Sequence, residues 1–173
     1  MKNEALRVIG IDPGLEITGV GILDVKANQY IPVYCNCIIT RKTFSMHQRL
    51  KQIYDSINSL INHFYPSCLA IEDIFFSANV KTALSIGQAR GVSILAGINN
   101  NLKIYEYTPL QVKQAIVGYG RASKKQIKYM LKIILCAGED FFPNNDDAWD
   151  AMGIAVCHAS MSKFEDKIRS YIK

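Results

Sequence analysis

Apolar positions change their period several times along this chain, and each change marks an element. From Val8 to Ile11, Thr18 to Val25 and Gln29 to Ile39 they run or alternate as in strands. Only Lys26 to Asn28 separates the last two stretches, a hairpin spacing, so an antiparallel meander of three strands is expected. From His47 the pattern becomes i, i+3, i+4, i+7 through Leu50, Ile53, Tyr54, Ile57, Leu60, Ile61 and Phe64, which predicts an amphipathic helix ended by Pro66. Cys68 to Asp73 returns to an apolar strand, and strand, helix, strand in that order predicts a right-handed parallel crossover.

The second half is mainly helical in pattern. Asn79 to Ile98 reads as a long helix whose small residues (Ala83, Ser85, Gly87, Ala89, Gly91, Ser93, Ala96, Gly97) suit close packing by another helix or a second subunit. Lys103 to Tyr107 is a short strand, after which Thr108-Pro109 opens a helix over Leu110 to Val117 that stops at Gly118-Tyr119-Gly120. Ser123 caps the next helix, with Ile127, Met130, Leu131 and Ile134 as its apolar face. A polar loop from Gly138 to Asn145 leads to a last helix starting at Asp146. The sum is an α/β fold: a mixed five-stranded sheet, three strands antiparallel and then parallel ones, flanked by helices on both faces. One domain over residues 1–173 is expected, because this length buries a sufficient core without disulfides or structural metal.

Charge sharpens the picture. The net charge is +5, but between Val25 and Ile133 fourteen Lys and Arg face four acids (Asp55, Glu72, Asp73, Glu106). A polyanion such as nucleic acid suits that segment, although a merely solvated Lys-rich surface is the plain alternative. Arg121, Lys124, Lys125, Lys128 and Lys132 form a stripe beside the apolar face of the helix after Ser123, with no acid between Tyr119 and Lys132, and read as a phosphate-tracking surface. No stretch approaches the roughly 18 apolar residues of a membrane span. Met1 to Ala5 lacks a secretion signal's apolar core, and the five cysteines are odd in number and irregularly spaced, so a soluble, cytoplasmic protein is expected.

The acids carry the candidate chemistry. Asp12 closes an apolar strand at Gly10-Ile11-Asp12-Pro13-Gly14, and Glu72 repeats that design at the end of Cys68 to Asp73. A carboxylate at the end of a buried strand needs compensation, from a metal ion or from a phosphate held through one. Asp147 and Asp150, three apart, share one face at the start of the last helix. Oxygen-only sets suit hard cations, and two Mg²⁺ ions about 3.5 to 4 Å apart activate water and stabilise the leaving oxygen in phosphodiester hydrolysis. Taken singly, Asp12 is also a turn former, Asp147 and Asp150 complement a helix dipole, and Glu72 can pair with a lysine. Zinc is disfavoured by the absence of C-x-x-C and by the scatter of His47, His63 and His158, and neither a Walker loop nor a G-x-S-x-G elbow is present.

Five stretches in order and spacing resemble the RuvC family of Holliday-junction resolvases: Gly10-Ile11-Asp12-Pro13-Gly14; Ala70-Ile71-Glu72 with Phe75; Gly87-Gln88-Ala89-Arg90-Gly91-Val92; Val112-Lys113-Gln114 through Gly118-Tyr119-Gly120; and Asp147-Ala148-Trp149-Asp150-Ala151. The resemblance spans about Arg7 to His158. It implies a ribonuclease H-like fold and a homodimer. It also implies a divalent-metal endonuclease, Mg²⁺-dependent with Mn²⁺ able to substitute, that nicks two opposed strands of four-way junction DNA during recombination and repair. A junction-bound branch-migration helicase complex is an implied partner. Asp12, Glu72, Asp147 and Asp150 would be the catalytic and metal-binding acids, Phe75 the junction-contacting aromatic, and Lys113 and Lys124 phosphate contacts. Phe76 beside Phe75 leaves open which ring touches DNA, and Arg90 would serve either DNA or the fold. Trp149 departs from the small residue expected between the last two acids, and the tail after Ser160 matches nothing usable. Two alternatives remain open: a junction-binding protein without turnover, and an ATP-binding sugar-kinase or actin-like core, for which the chain lacks a duplicated second domain.

Overall fold

The computed structural model describes residues 6–27, 29–73 and 80–171. Its elements are β1 (Leu6–Asp12), β2 (Ile17–Lys26), β3 (Gln29–Ile39), α1 (Met46–Phe64), β4 (Cys68–Glu72), α2 (Val80–Asn99), β5 (Lys103–Tyr107), α3 (Pro109–Val117), α4 (Lys124–Leu135), a 3-10 turn at Glu139–Phe141 and α5 (Asp146–Tyr171). The strands form one sheet in the order β3-β2-β1-β4-β5. The β1–β2 and β2–β3 pairs are antiparallel, and β1–β4 and β4–β5 are parallel, as the hairpin spacing and the crossover pattern predicted.

Helix boundaries follow local chemistry. Ser45, Thr108 and Ser123 each accept a hydrogen bond from the backbone N–H of a Gln three residues on, and that Gln side chain accepts one back from the cap's own N–H. These reciprocal caps satisfy donors that a helix start otherwise leaves unpaired. Gly118, with φ 83°, ends α3 in a left-handed conformation that glycine adopts without strain. Pro32 sits where the β2–β3 register shifts, which is tolerable because β3 is an edge strand and a missing N–H there breaks no central ladder.

Alternation along the strands sorts the side chains onto two faces. Ile9, Ile11, Val20, Ile22, Leu69 and Ile71 pack with Ile53, Ile57 and Ile61 of α1 and with Ala89 and Ala96 of α2. On the other face Val8, Leu23 and Ala70 pack with Val112 and Ile116 of α3, Ile127 and Leu131 of α4, and Met152 to Ala155 of α5. Asp12 is in step with Val8 and Gly10, so it belongs to the α5 face.

In α5 residues 151–159 are all buried. It lies against the glycines of β1 and β2. A Cβ on Gly10 would overlap the Ala151 carbonyl and lie 2.7 Å from Ala155 N; one on Gly19 would overlap the Asp147 carbonyl; one on Gly21 would lie 2.6 Å from Met152 Cα. Backbone thus meets backbone where a helix would ordinarily rest on side chains. Arg7 and Asp24, cross-strand partners, fix the far end of the same pair through bonds of 2.6 and 2.9 Å, and Arg7 Nη1 also donates to the Phe64 carbonyl. Gly21→Ala should therefore lower stability by about 3 kcal/mol through forced displacement of α5, read as a loss of midpoint in urea unfolding.

Candidate active site

The register of the sheet brings the first two acids together. Asp12 pairs across β1–β2 with Gly19, while on its other side Ile11 pairs with Ile71, so Glu72 at the next position lies beside Asp12. Ala70 and Glu72 keep the same phase as Gly10 and Asp12, which turns both carboxylates toward α5. The helix supplies the other two. Asn145 accepts a hydrogen bond from Asp147 N at 3.0 Å and caps α5, and the Asp147 carbonyl rests on Gly19, the strand partner of Asp12. Asp150 follows one turn later.

These four acids share one electrostatic field. The Asp12 carboxyl is pushed up to about 8, first by burial and then by Glu72, Asp150 and Asp147, with Lys124 opposing. Glu72 is raised by burial and by Asp150, against Lys124 and Lys113. Asp150 is raised by burial despite Lys124, whose Nζ lies 3.3 Å from Asp150 Oδ2. Among the described residues no three His, Cys, Asp or Glu side chains close into a metal-binding shell. Asp150 instead turns to the Lys124 ammonium.

Glu72, Asp150, Lys113 and Lys124 line a cleft of about 180 Å³ between α3, α4 and α5. Lys124 also approaches Asp146 at 3.6 Å, and Lys128 pairs with Asp146 at 2.5 Å. Two of the five basic residues of the stripe, the exposed Lys124 and the half-buried Lys128, are engaged by α5 acids. Arg90 serves the fold. Its Nε donates to the Glu72 carbonyl at 3.1 Å, and its guanidinium pairs with Glu106 and lies 3.6 Å from Asp73, holding the end of β4 that carries Glu72.

Other residues resolve differently from expectation or were not foreseen. Trp149 stacks on Phe142 at 3.8 Å and donates to the Pro143 carbonyl, so its bulk is absorbed by the loop before α5 and displaces no acid. His158 accepts from or donates to Tyr107 Oη at 2.7 Å; it is buried, its pKa is lowered to about 4 by that burial, and it belongs to the core. Phe75 and Phe76 lie outside the described residues. Cys37 was missed. It pairs with Gly19 in the β2–β3 ladder, and its thiol is pushed up to about 11 by burial and by Asp147 and Asp12. Counted back from the β2–β3 turn, the register would set Asn36 opposite Gly19; the shift between Ile22 and Leu23 brings Cys37 there instead, so the turn spacing alone does not reveal it.

Strand-end acids met by acids from a crossing helix, on this mixed sheet, define the class as a ribonuclease H-like nuclease fold. The chain belongs to the RuvC family: the family described as crossover junction endodeoxyribonuclease RuvC matches residues 8–158. The chain is 44% identical to crossover junction endodeoxyribonuclease RuvC of Desulforamulus reducens, over 90% of this chain and 94% of that one. It is 48% identical to the protein of the same description from Finegoldia magna, over 92% and 96%. The structure of T. thermophilus RuvC in complex with Holliday junction substrate superposes with a TM-score of 0.87 at 30% identity, covering 92% of this chain and 96% of that chain.

Membership of this family implies divalent-metal-dependent catalysis, and the donor set fits a hard cation, since Asp12, Glu72, Asp147 and Asp150 offer only carboxylate oxygen. The raised Asp12 carboxyl gives a pH test. Because its pKa is higher in the folded chain than in the unfolded one, the folded chain holds an extra proton between about pH 4 and 8, and stability is lost as pH rises through that window. In chelator, Asp12→Asn should therefore gain thermal stability relative to wild type as pH rises from 5 to 8, by about 5 °C or more, and divalent cation should narrow the gap.

Proposed function

We propose that this protein is a metal-dependent, structure-selective endonuclease that resolves Holliday junctions by paired symmetric nicks in recombination and repair. The observation that carries the reading is the shared field of Asp12, Glu72, Asp147 and Asp150 beside a cleft that also holds Lys113 and Lys124. Like-charged acids brought together at the cost of raised pKa values are the mark of a site used with a cation. The T. thermophilus relative in complex with Holliday junction substrate supplies the substrate class.

In this reading the four acids are both catalytic residues and metal ligands, for two Mg²⁺ ions that Mn²⁺ can replace. A cation held there supplies an activated water and stabilises the leaving oxygen of the phosphodiester. To hold the cation, Asp12 would have to be deprotonated and Asp150 would have to release the Lys124 ammonium. Asp146 retains Lys124 at the rim, where its charge meets the scissile phosphate; Lys113 does the same from α3. Arg121, Lys125 and Lys128 hold flanking phosphates, and Phe75 meets the junction bases.

The active unit is a homodimer. On α2, Val80 (78% exposed), Leu84 (64% exposed), Gly91, Leu95 and Ile98 recur along one side, and a Cβ on Gly91 would meet nothing within 4 Å. An apolar, open helix stripe suits a second copy packed about a twofold axis, and a twofold enzyme matches two opposed strands. No helix among the described residues is long and apolar enough to cross a membrane, and the cysteines there are free, which suits the cytoplasm. A junction-bound branch-migration helicase complex is the partner that would present the substrate.

Two measurements test this. On a synthetic four-way junction with Mg²⁺, wild type should make symmetric nicks, and Asp12→Asn or Asp150→Asn should nick roughly a thousandfold more slowly while still binding; chelator should likewise abolish nicking and spare binding. Leu84→Glu should sediment as a monomer where wild type sediments as a dimer, and a monomeric wild type at micromolar concentration would overturn the twofold arrangement.

A further inference from the structure

The outer side of α4 carries a feature that the acid cleft does not use. Two concavities meet on this helix and share Lys125 and Tyr129. One, of about 640 Å³, lies between Tyr119 and Tyr129; the other, of about 420 Å³, runs from Tyr129 past Lys132 to Asn144 and Trp149. Together they make one groove across the helix. Trp149 lines both this groove and the acid cleft, so the groove begins where the cleft ends.

Three properties of the groove point in one direction. Two of its four rings are presented rather than packed: Tyr129 is 65% exposed and Tyr119 49%, whereas Phe142 and Trp149 are stacked and buried. Among the described residues its charged lining is of one sign, Lys125, Lys128 and Lys132. Asp146 holds Lys128 from behind. Lastly, its wall at Gly118-Tyr119-Gly120 is a turn in which the half-exposed Tyr119 stands between two glycines, the first of them in a left-handed conformation.

We infer that this groove binds single-stranded DNA, with unpaired bases stacked on Tyr129 and Tyr119 and the intervening phosphates on Lys125 and Lys132. A duplex would engage the lysines but not the rings, because paired and stacked bases offer no free face; exposed tyrosines interleaved with lysines suit an unpaired strand. Stacking is also indifferent to base identity, so the groove tolerates any sequence leaving the cleft past Trp149. This site is separate from the four acids and needs no divalent cation.

The test uses the full chain in chelator and two fluorescent probes, an oligo-dT and an abasic oligonucleotide of equal length and charge, followed by anisotropy. Wild type should bind oligo-dT about tenfold more tightly than the abasic probe. Tyr119→Ala with Tyr129→Ala should abolish that preference while keeping the salt-dependent binding common to both probes, and Tyr129→Phe, which keeps the ring, should preserve it. Circular-dichroism melts of each variant separate a folding loss from a binding loss. Equal affinity of wild type for the two probes, or a preference that survives the double substitution, would overturn the proposal. Junction nicking is scored separately on the same proteins. A protein that nicks without base preference refutes the groove alone, and one with base preference that never nicks refutes the nuclease reading alone.

Discussion

The structure depends on the contact of α5 with the bare backbone of β1 and β2. Gly10, Gly19 and Gly21 remove the side chains that would hold a helix away from a sheet, and the helix backbone takes their place. Burial follows from that contact, since residues 151–159 have no access to solvent of any consequence. So does the site. With Asp147 resting on Gly19, and Gly19 paired with Asp12, the first turn of α5 is delivered to the end of β1, and neither element can move without carrying acids apart.

That geometry has an electrostatic cost, and the surrounding charges show how it is contained. Burial and mutual repulsion raise Asp12, Glu72 and Asp150 together, while Lys124 and Lys113 oppose the rise. Lys124 is shared between Asp150 and Asp146, and Lys128 leans on Asp146 and lies 5.3 Å from the centroid of the Trp149 ring. The lysines nearest the acids thus act as counterions within the chain as well as candidates for phosphate. Arg90 does comparable work on the backbone, tying the Glu72 carbonyl to Glu106 and Asp73 and so linking α2 to the end of β4 that carries Glu72.

Most of the element order was legible from apolar periodicity and capping residues. The three antiparallel strands, the crossover, and the starts of α3 and α4 at Thr108 and Ser123 follow from local rules that a sequence states directly. The small residues of α2 pointed to close packing, and the structure divides them: Ala89, Ser93, Ala96 and Gly97 face the core, whereas Gly91 is open. The Gly138–Asn145 stretch, read as a loop, holds a short 3-10 turn that places Phe142 under Trp149.

By itself, then, the sequence determined which residues end strands, which begin helices, and that two acids sit at strand ends while two share a helix turn. These are consequences of period and spacing along one chain. Only the tertiary structure decided that the four acids share one electrostatic field, because that depends on the contact between Gly19 and Asp147, residues 128 positions apart in sequence with no local signature. It likewise decided which lysines of the stripe pair with α5: Lys124 and Lys128 find its acids, and Lys125, on another side of the helix, lines the outer groove, because a helix of 3.6 residues per turn offers only one side to its neighbour.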